Sequence, residues 1–280
     1  MQTSRVIDGV NVPAFLYGTA WKEDRTAELV TLALDAGFRG IDTANQRKHY
    51  FEAAVGEALA AAFTRGLLTR DELFLQTKFT FRGGQDHRLP YDPAAPVATQ
   101  VEQSLAKSLE HLRVDRLDSY VLHGPSTRGW VAADREAWVA MESLHDQGLT
   151  RFLGVSNVSL EQLQTLVAEA RVPPTFVQNR CYAVRGWDRA VRSFCAENNL
   201  VYQGFSLLTA NRDVLARSEV QQIARRLGRT VCQVIFRFAQ HAGMLPLTGT
   251  SNPQHMQEDL ATSEFELTPA DCDVIERLAD

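Results

Sequence analysis

Cysteine is scarce in this chain: four residues, Cys181, Cys195, Cys232 and Cys272, with no CxxC and no paired spacing. That excludes a disulfide framework and a thiolate metal site, and leaves buried free thiols of a reducing compartment as the expectation. Charge of one sign is also missing in excess. Against 34 acidic residues stand 29 lysines and arginines, for a net charge of -5, so no basic field advertises nucleic acid or an anionic membrane. No apolar run approaches the length of a membrane span. The opening MQTSRVIDGVNVPAF lacks a basic segment followed by an apolar one, so no signal peptide is expected and the location expected is the cytoplasm. Low-complexity stretches and linkers rich in Pro, Gly or Ser are absent too. What remains is ordinary for a globular protein: 280 residues, 45% hydrophobic and 22% charged. That is enough chain to bury a core without staples.

Short apolar runs alternate with amphipathic patterns. The expected strands are FLYGT (15–19), GIDTA (40–44), LFLQTK (73–78), LDSYVLH (117–123), FLGVSN (152–157), FVQNRCY (176–182), VYQGFS (201–206) and MLPLTGT (244–250). They are short and apolar throughout, as strands covered on both faces should be. Between them, Val101, Leu105, Leu109 and Leu112 recur at helical spacing, as do Leu29, Leu32, Ala33 and Ala36 ahead of Gly37. Ser159 stands three before Gln162, a capping box, and Thr268-Pro269 opens a last helix. Eight strands with intervening helices in about 250 residues point to a closed (β/α)8 barrel, one domain over residues 1–280. A doubly wound sheet is the alternative, but its GxGxxG turn is missing after the first strand, where the chain reads GTAWKED. RVIDGVNVPAF alternates around Asp8-Gly9 and reads as an N-terminal β-hairpin at the barrel bottom.

In such a barrel chemistry gathers at the C-terminal ends of the strands. Four polar residues stand there: Asp42 in GIDTA, Tyr50 eight residues on, Lys78 at the end of LFLQTK, and His123 at the end of LDSYVLH. Each has a bland reading: a helix cap, loop packing, a solvated strand end, a core histidine. As a set they make one device. Reducing a carbonyl requires a proton donor as hydride arrives at carbon. A free tyrosine, with a pKa of about 10, is a poor acid near neutrality. A neighbouring ammonium stabilises its phenolate, and a buried ammonium requires a counter-charge. So Tyr50 reads as the acid/base, Lys78 as its tuner, Asp42 as the holder of Lys78, and His123 as the group that orients the substrate oxygen.

At this point the chain resembles a family, the aldo-keto reductases. GFRGIDTA followed by VGEAL resembles that family's first signature, and VEQSLAKSLEHLRVDRLDSYVLH its second. LQTK is similar to the catalytic-lysine strand, and FLGVSN to the strand supplying carboxamide ligands. The likeness runs from about Val6 to the C-terminal end. It implies NADP-dependent reduction of aldehydes or ketones, with NADPH as cofactor and NADH as the alternative. Most members place the tyrosine five residues after the aspartate. Here Arg47 takes that position and Tyr50 follows in a loop longer by two or three residues, beside His49.

The resemblance also implies cofactor residues. Ser156, Asn157 and Gln178 match the ligands of the nicotinamide carboxamide, and Phe205 stands where a tyrosine usually stacks on the ring. Ser206 and Leu207 begin the loop over the pyrophosphate, and Thr19 and Trp21 match the first-strand loop. The family's last strand commonly carries Pro-Lys-Ser, with an arginine following, and both cations grip the 2′-phosphate. This chain reads LPLTGTSNPQHMQEDL: Gly249 replaces the lysine and His255 the arginine. Thr250, Ser251 and Asn252 remain at a helix N-terminus, and Glu258 and Asp259 match adenine-facing positions. FELTPADCDVIERLAD ends the sequence without the family's closing loop, which implies an open pocket and a broad substrate range. Trp21, His49 and Trp130 are its expected walls, with packing as the rival role of Trp130.

The expected partner is a small carbonyl compound, bound by a monomer, with neither nucleic acid nor membrane involved. No metal is expected, since no His-x-His pair sits on a strand. Two rival functions stand beside the reductase: a redox-sensing or regulatory barrel with slow turnover, and a Schiff-base aldolase with Lys78 as nucleophile.

Overall fold

The computed structural model describes residues 4–278, so Met1–Thr3 of the opening segment and Ala279–Asp280 of the final one lie outside the described residues. Among the described residues are ten strands: β1 (Ser4–Ile7), β2 (Val10–Pro13), β3 (Leu16–Gly18), β4 (Gly40–Asp42), β5 (Phe74–Phe79), β6 (Leu117–Leu122), β7 (Thr150–Ser156), β8 (Phe176–Arg180), β9 (Val201–Phe205) and β10 (Leu245–Thr248). β1 and β2 form a separate antiparallel pair, and the other eight close into a barrel in the order β10-β3-β4-β5-β6-β7-β8-β9. Every expected strand is found, its ends within two residues of those expected. The hairpin turns where expected: Ile7 faces Val10, and Asp8 and Gly9 both take positive φ, 44° and 78°. Two such residues make the tight turn whose twist suits paired strands.

Internal contacts divide the chain into two compact units, one running through Leu16 and resuming at Gln178, the other Tyr17–Val177. In the second unit β5 and β6 are buried along their whole length, which explains FLQTKF and LDSYVL as runs without solvent alternation. Phe176 is the hub, with its ring 5.4 Å from Phe74 and 5.7 Å from Phe152. The helix Thr26–Ala36 ends at Gly37, whose φ of 113° lets its N–H reach back to Ala33 and Leu34. Its buried face is Leu29, Val30, Ala33 and Leu34; Leu32 and Ala36, expected on that face, are half-buried. The helix Glu52–Thr64 lies so close to the end of the helix Val97–Leu112 that a Cβ on Gly56 would stand 1.9 Å from the His111 carbonyl oxygen.

In the other unit Phe15 packs edge-on against Phe236 at 4.8 Å, and Trp187 lies 5.1 Å from Phe238 with its indole N–H on the carbonyl of Ile275. The expected caps are formed: Ser159 accepts from the Gln162 N–H, and Thr268 from that of Asp271. All four cysteines are free. Cys181 and Cys195 are buried, and burial pushes both thiols up to about 12; Cys232 and Cys272, expected buried, are only half so because each lies on a helix flank.

Candidate active site

Parallel register brings the first two polar residues together. β4 pairs with β5 so that Asp42 faces Gln76, two residues before Lys78. Side chains two apart on a strand share a face. Gln76 Nε2 therefore donates to Asp42 Oδ1 at 2.7 Å, and Lys78 Nζ donates to both carboxylate oxygens and to the Thr43 carbonyl, each at 2.7 Å. Lys78 is 0% exposed. Burial pushes its ammonium below the ordinary lysine range, with Asp42 pulling the other way. Three acceptors around three N–H donors satisfy a charge that would otherwise be prohibitive to bury.

Tyr50 sits over this pair. Its ring centroid is 5.3 Å from Lys78 Nζ, and its edge meets the His123 ring with centroids 5.8 Å apart. The backbone N–H groups of His49 and Tyr50 both bond the Gln46 carbonyl, a local turn that fixes the loop. Arg47, at the spacing where a tyrosine is usual, points elsewhere: its guanidinium lies over Phe51, 4.0 Å from the ring centroid. His123 follows β6, its N–H bonded to the Phe79 carbonyl, and its Nδ1 lies 2.7 Å from the Thr80 hydroxyl. Burial, reinforced by the Lys78 charge and by His49, holds this imidazole well below the usual histidine range. The four expected residues thus meet within one unit: a buried ion pair, a tyrosine above it, and a neutral imidazole at the tyrosine's edge.

Trp21 is 66% exposed, with φ of 61°, and its ring lies 4.0 Å from that of His49, whose Nδ1 is 3.0 Å from Gln46 Oε1. Trp130 is buried, its carbonyl taking a bond from Arg135. Thr19 is wholly buried, and both its hydroxyl and its N–H donate to the Asp42 carbonyl. Ser156 is buried at the end of β7. Asn157, at φ 52°, donates to the His123 carbonyl at 2.8 Å and to Ser156 Oγ at 3.0 Å.

In the other unit, Gln178 Nε2 donates to Gln203 at 2.9 Å. The Phe205 ring lies under the Arg180 guanidinium at 5.5 Å, Ser206 has φ 58°, and Leu207 is buried. Asn252 caps the helix Pro253–Leu260, accepting from the Gln254 N–H, while Thr250 Oγ1 accepts from the Asn252 N–H. Ser251 and His255 are exposed there. Glu258 accepts from Gln254. Asp259 is 3% exposed, and its Oδ2 has no partner among the described residues.

Several residues of the constellation were not anticipated. Gln76 and Thr80 flank Lys78 at intervals of two, a spacing that could have flagged them. Glu52 is buried too, accepting from Thr77 and lying 3.1 Å from His111 Nδ1. Its partners are 25 and 59 residues away, which no local pattern reveals.

Residues 15–280 match the model of the Aldo/keto reductase family, and the chain belongs to that family. Among curated relatives, "Protein REDOX 2" of Catharanthus roseus is 31% identical, the match spanning 96% of this chain and 87% of the relative. "NADPH-dependent codeinone reductase 1-4" of Papaver somniferum is 29% identical over the same shares. Of solved structures, an aldo/keto reductase from Brucella melitensis superposes with a TM-score of 0.82 at 25% identity, covering 99% of this chain and 100% of that one. An aldo-keto reductase complexed with NADPH shares the fold with a TM-score of 0.84 at 24% identity, over 99% and 87% of the two chains.

Proposed function

We propose that this chain, acting as one catalytic domain, is an NADP-dependent reductase of aldehydes or ketones in which Tyr50 is the proton donor. The carrying observation is the buried Lys78–Asp42 pair 5.3 Å beneath the Tyr50 ring. Bound NADPH supplies the hydride. The Tyr50 hydroxyl gives its proton to the substrate oxygen, and the Lys78 ammonium stabilises the phenolate left behind. With the Thr80 hydroxyl donating to His123 Nδ1, the neutral ring keeps its proton on Nε2, where it orients the same oxygen. Gln76 and Thr43 keep the Asp42 carboxylate and the ammonium in register.

The residues present fit the nucleotide. Ser156 and Asn157 are assigned to the carboxamide. By the family resemblance Gln178 is assigned to the carboxamide as well, Phe205 to the nicotinamide ring, and Ser206 and Leu207 to the pyrophosphate. The exposed Ser251 and His255 at the head of the helix Pro253–Leu260 suit a phosphate, and the partnerless Oδ2 of Asp259 suits a polar base edge. A relative named for NADPH dependence supports NADP. The Schiff-base alternative is disfavoured, because an ammonium with three acceptors presents no lone pair to a carbonyl. The test follows loss of the reduced nicotinamide's near-ultraviolet absorbance, with NADPH and with NADH, across a panel of aldehydes and ketones. Saturable turnover is expected; no turnover with any carbonyl would reject the reading.

A further inference from the structure

A cavity of about 250 Å³ opens beside the loop between β4 and the helix Glu52–Thr64, with apolar walls from Ala44, Phe51, Ala53, Leu89 and Pro90. Arg47, Arg88, Lys107 and His111 also line it, as do Glu52 and Tyr50. Three of the four basic groups are already paired: Arg88 with Asp86, Lys107 with Glu110 at 2.9 Å, and His111 with Glu52 at 3.1 Å. Arg47 is different. Among the described residues it forms no ion pair, and its guanidinium lies flat on Phe51 at 4.0 Å. Stacking uses one face of that plane and leaves the N–H fork at its rim for a carboxylate. Arg88 donates to the Arg47 carbonyl at 3.1 Å, which pins the backbone carrying this cation.

We propose that this cavity binds a small apolar monocarboxylate, anchored by Arg47, at a site that Tyr50 borders but neither Lys78 nor His123 lines. Size and charge both select that class. An apolar cavity of roughly 150 Å³ accepts a benzene ring, so 250 Å³ leaves room for a carboxylate as well. The walls are mainly hydrocarbon, which disfavours a fully hydrated inorganic anion. The buried Glu52 carboxylate in the same wall repels a second negative charge, so a monoanion is preferred over a dianion. The occupant also abuts Tyr50, whose ring meets that of His123.

Binding does not depend on the reductase reading, so it is measured on the cofactor-free chain. Calorimetric titration with benzoate is expected to give one saturable event. Benzyl alcohol, of the same shape without charge, should bind at least tenfold more weakly. Arg47→Gln should weaken benzoate at least tenfold and Arg47→Lys by less, while Ala53→Leu fills the cavity and should abolish the event. His123→Ala removes a ring that does not line the cavity and should leave the event intact. Thermal melting at the wild-type temperature certifies that each variant is folded. Benzoate affinity unchanged in Arg47→Gln, or lost in His123→Ala, would overturn the proposal, as would tighter binding of inorganic phosphate or no saturable binding at millimolar benzoate.

Discussion

Lys78 donates three hydrogen bonds from a position without solvent, and that fixes what its loss should do. Lys78→Met leaves Asp42 a buried carboxylate without its cationic partner. Breaking a buried pair in this way destabilises by about 3–5 kcal/mol, and turnover should vanish with it. Tyr50→Phe removes only a hydroxyl and should lower kcat about a hundredfold to ten-thousandfold, with nucleotide affinity unchanged by fluorescence titration. A Tyr50→Phe enzyme with wild-type turnover would show that the proton comes from elsewhere. The sequence could be read this far because Asp42, Lys78 and His123 each end a short apolar run. Tyr50 was harder, since its loop departs from the usual spacing and Arg47, which lies over Phe51, takes the position where a tyrosine is usual. Thr80, on which the tautomer of His123 turns, looked like any strand threonine until the two met at 2.7 Å.

Among the elements, strands were legible and helix faces less so. A strand buried on both sides announces itself by composition, as β5 and β6 do. A helix against a barrel buries a face set by its crossing angle, and for Thr26–Ala36 that face falls about one residue away from the one expected. The helix Pro253–Leu260 was expected from the family resemblance, but its burial of Asp259 alongside Met256 was not. Burial pushes the Asp259 carboxyl up to about 7, with Glu258 adding to the shift and a Thr248 hydrogen bond opposing it; the half-buried Cys232 thiol also faces it. An aspartate in an unfolded chain titrates near 3.9. Between those values the native state holds a proton that the unfolded chain has lost, so stability falls as pH rises. The contribution is complete below about pH 4 and is exhausted above about pH 7. Against Asp259→Asn, which carries no charge, wild-type should lose on the order of a few kcal/mol across that window. Urea unfolding of both proteins at several pH values measures it, and parallel pH courses would contradict the burial argument.

On the scale of the whole molecule the charge is mildly negative, -5, so nothing global draws in a polyanionic nucleotide. In the proposed nucleotide site, discrimination between NADPH and NADH is assigned to the groups at residues 249–255, where the family resemblance puts Gly249 and His255 in place of two cations. A charged hydrogen bond contributes about 1.5–3 kcal/mol. His255→Arg should therefore raise the ratio of kcat/KM for NADPH over NADH by about tenfold to a hundredfold, and an unchanged ratio would place the phosphate contact elsewhere. The basic residues themselves are unevenly chosen, for only Lys22, Lys48, Lys78 and Lys107 are lysines. With Lys78 sealed in, amine-directed coupling meets just three side-chain amines on the native protein. Peptide mass spectrometry after acylation should find Lys22, Lys48 and Lys107 modified and Lys78 intact until the chain is unfolded. Tethering through amines would thus spare the ion pair, while a tether at Lys107 would occupy the rim of the Arg47 cavity.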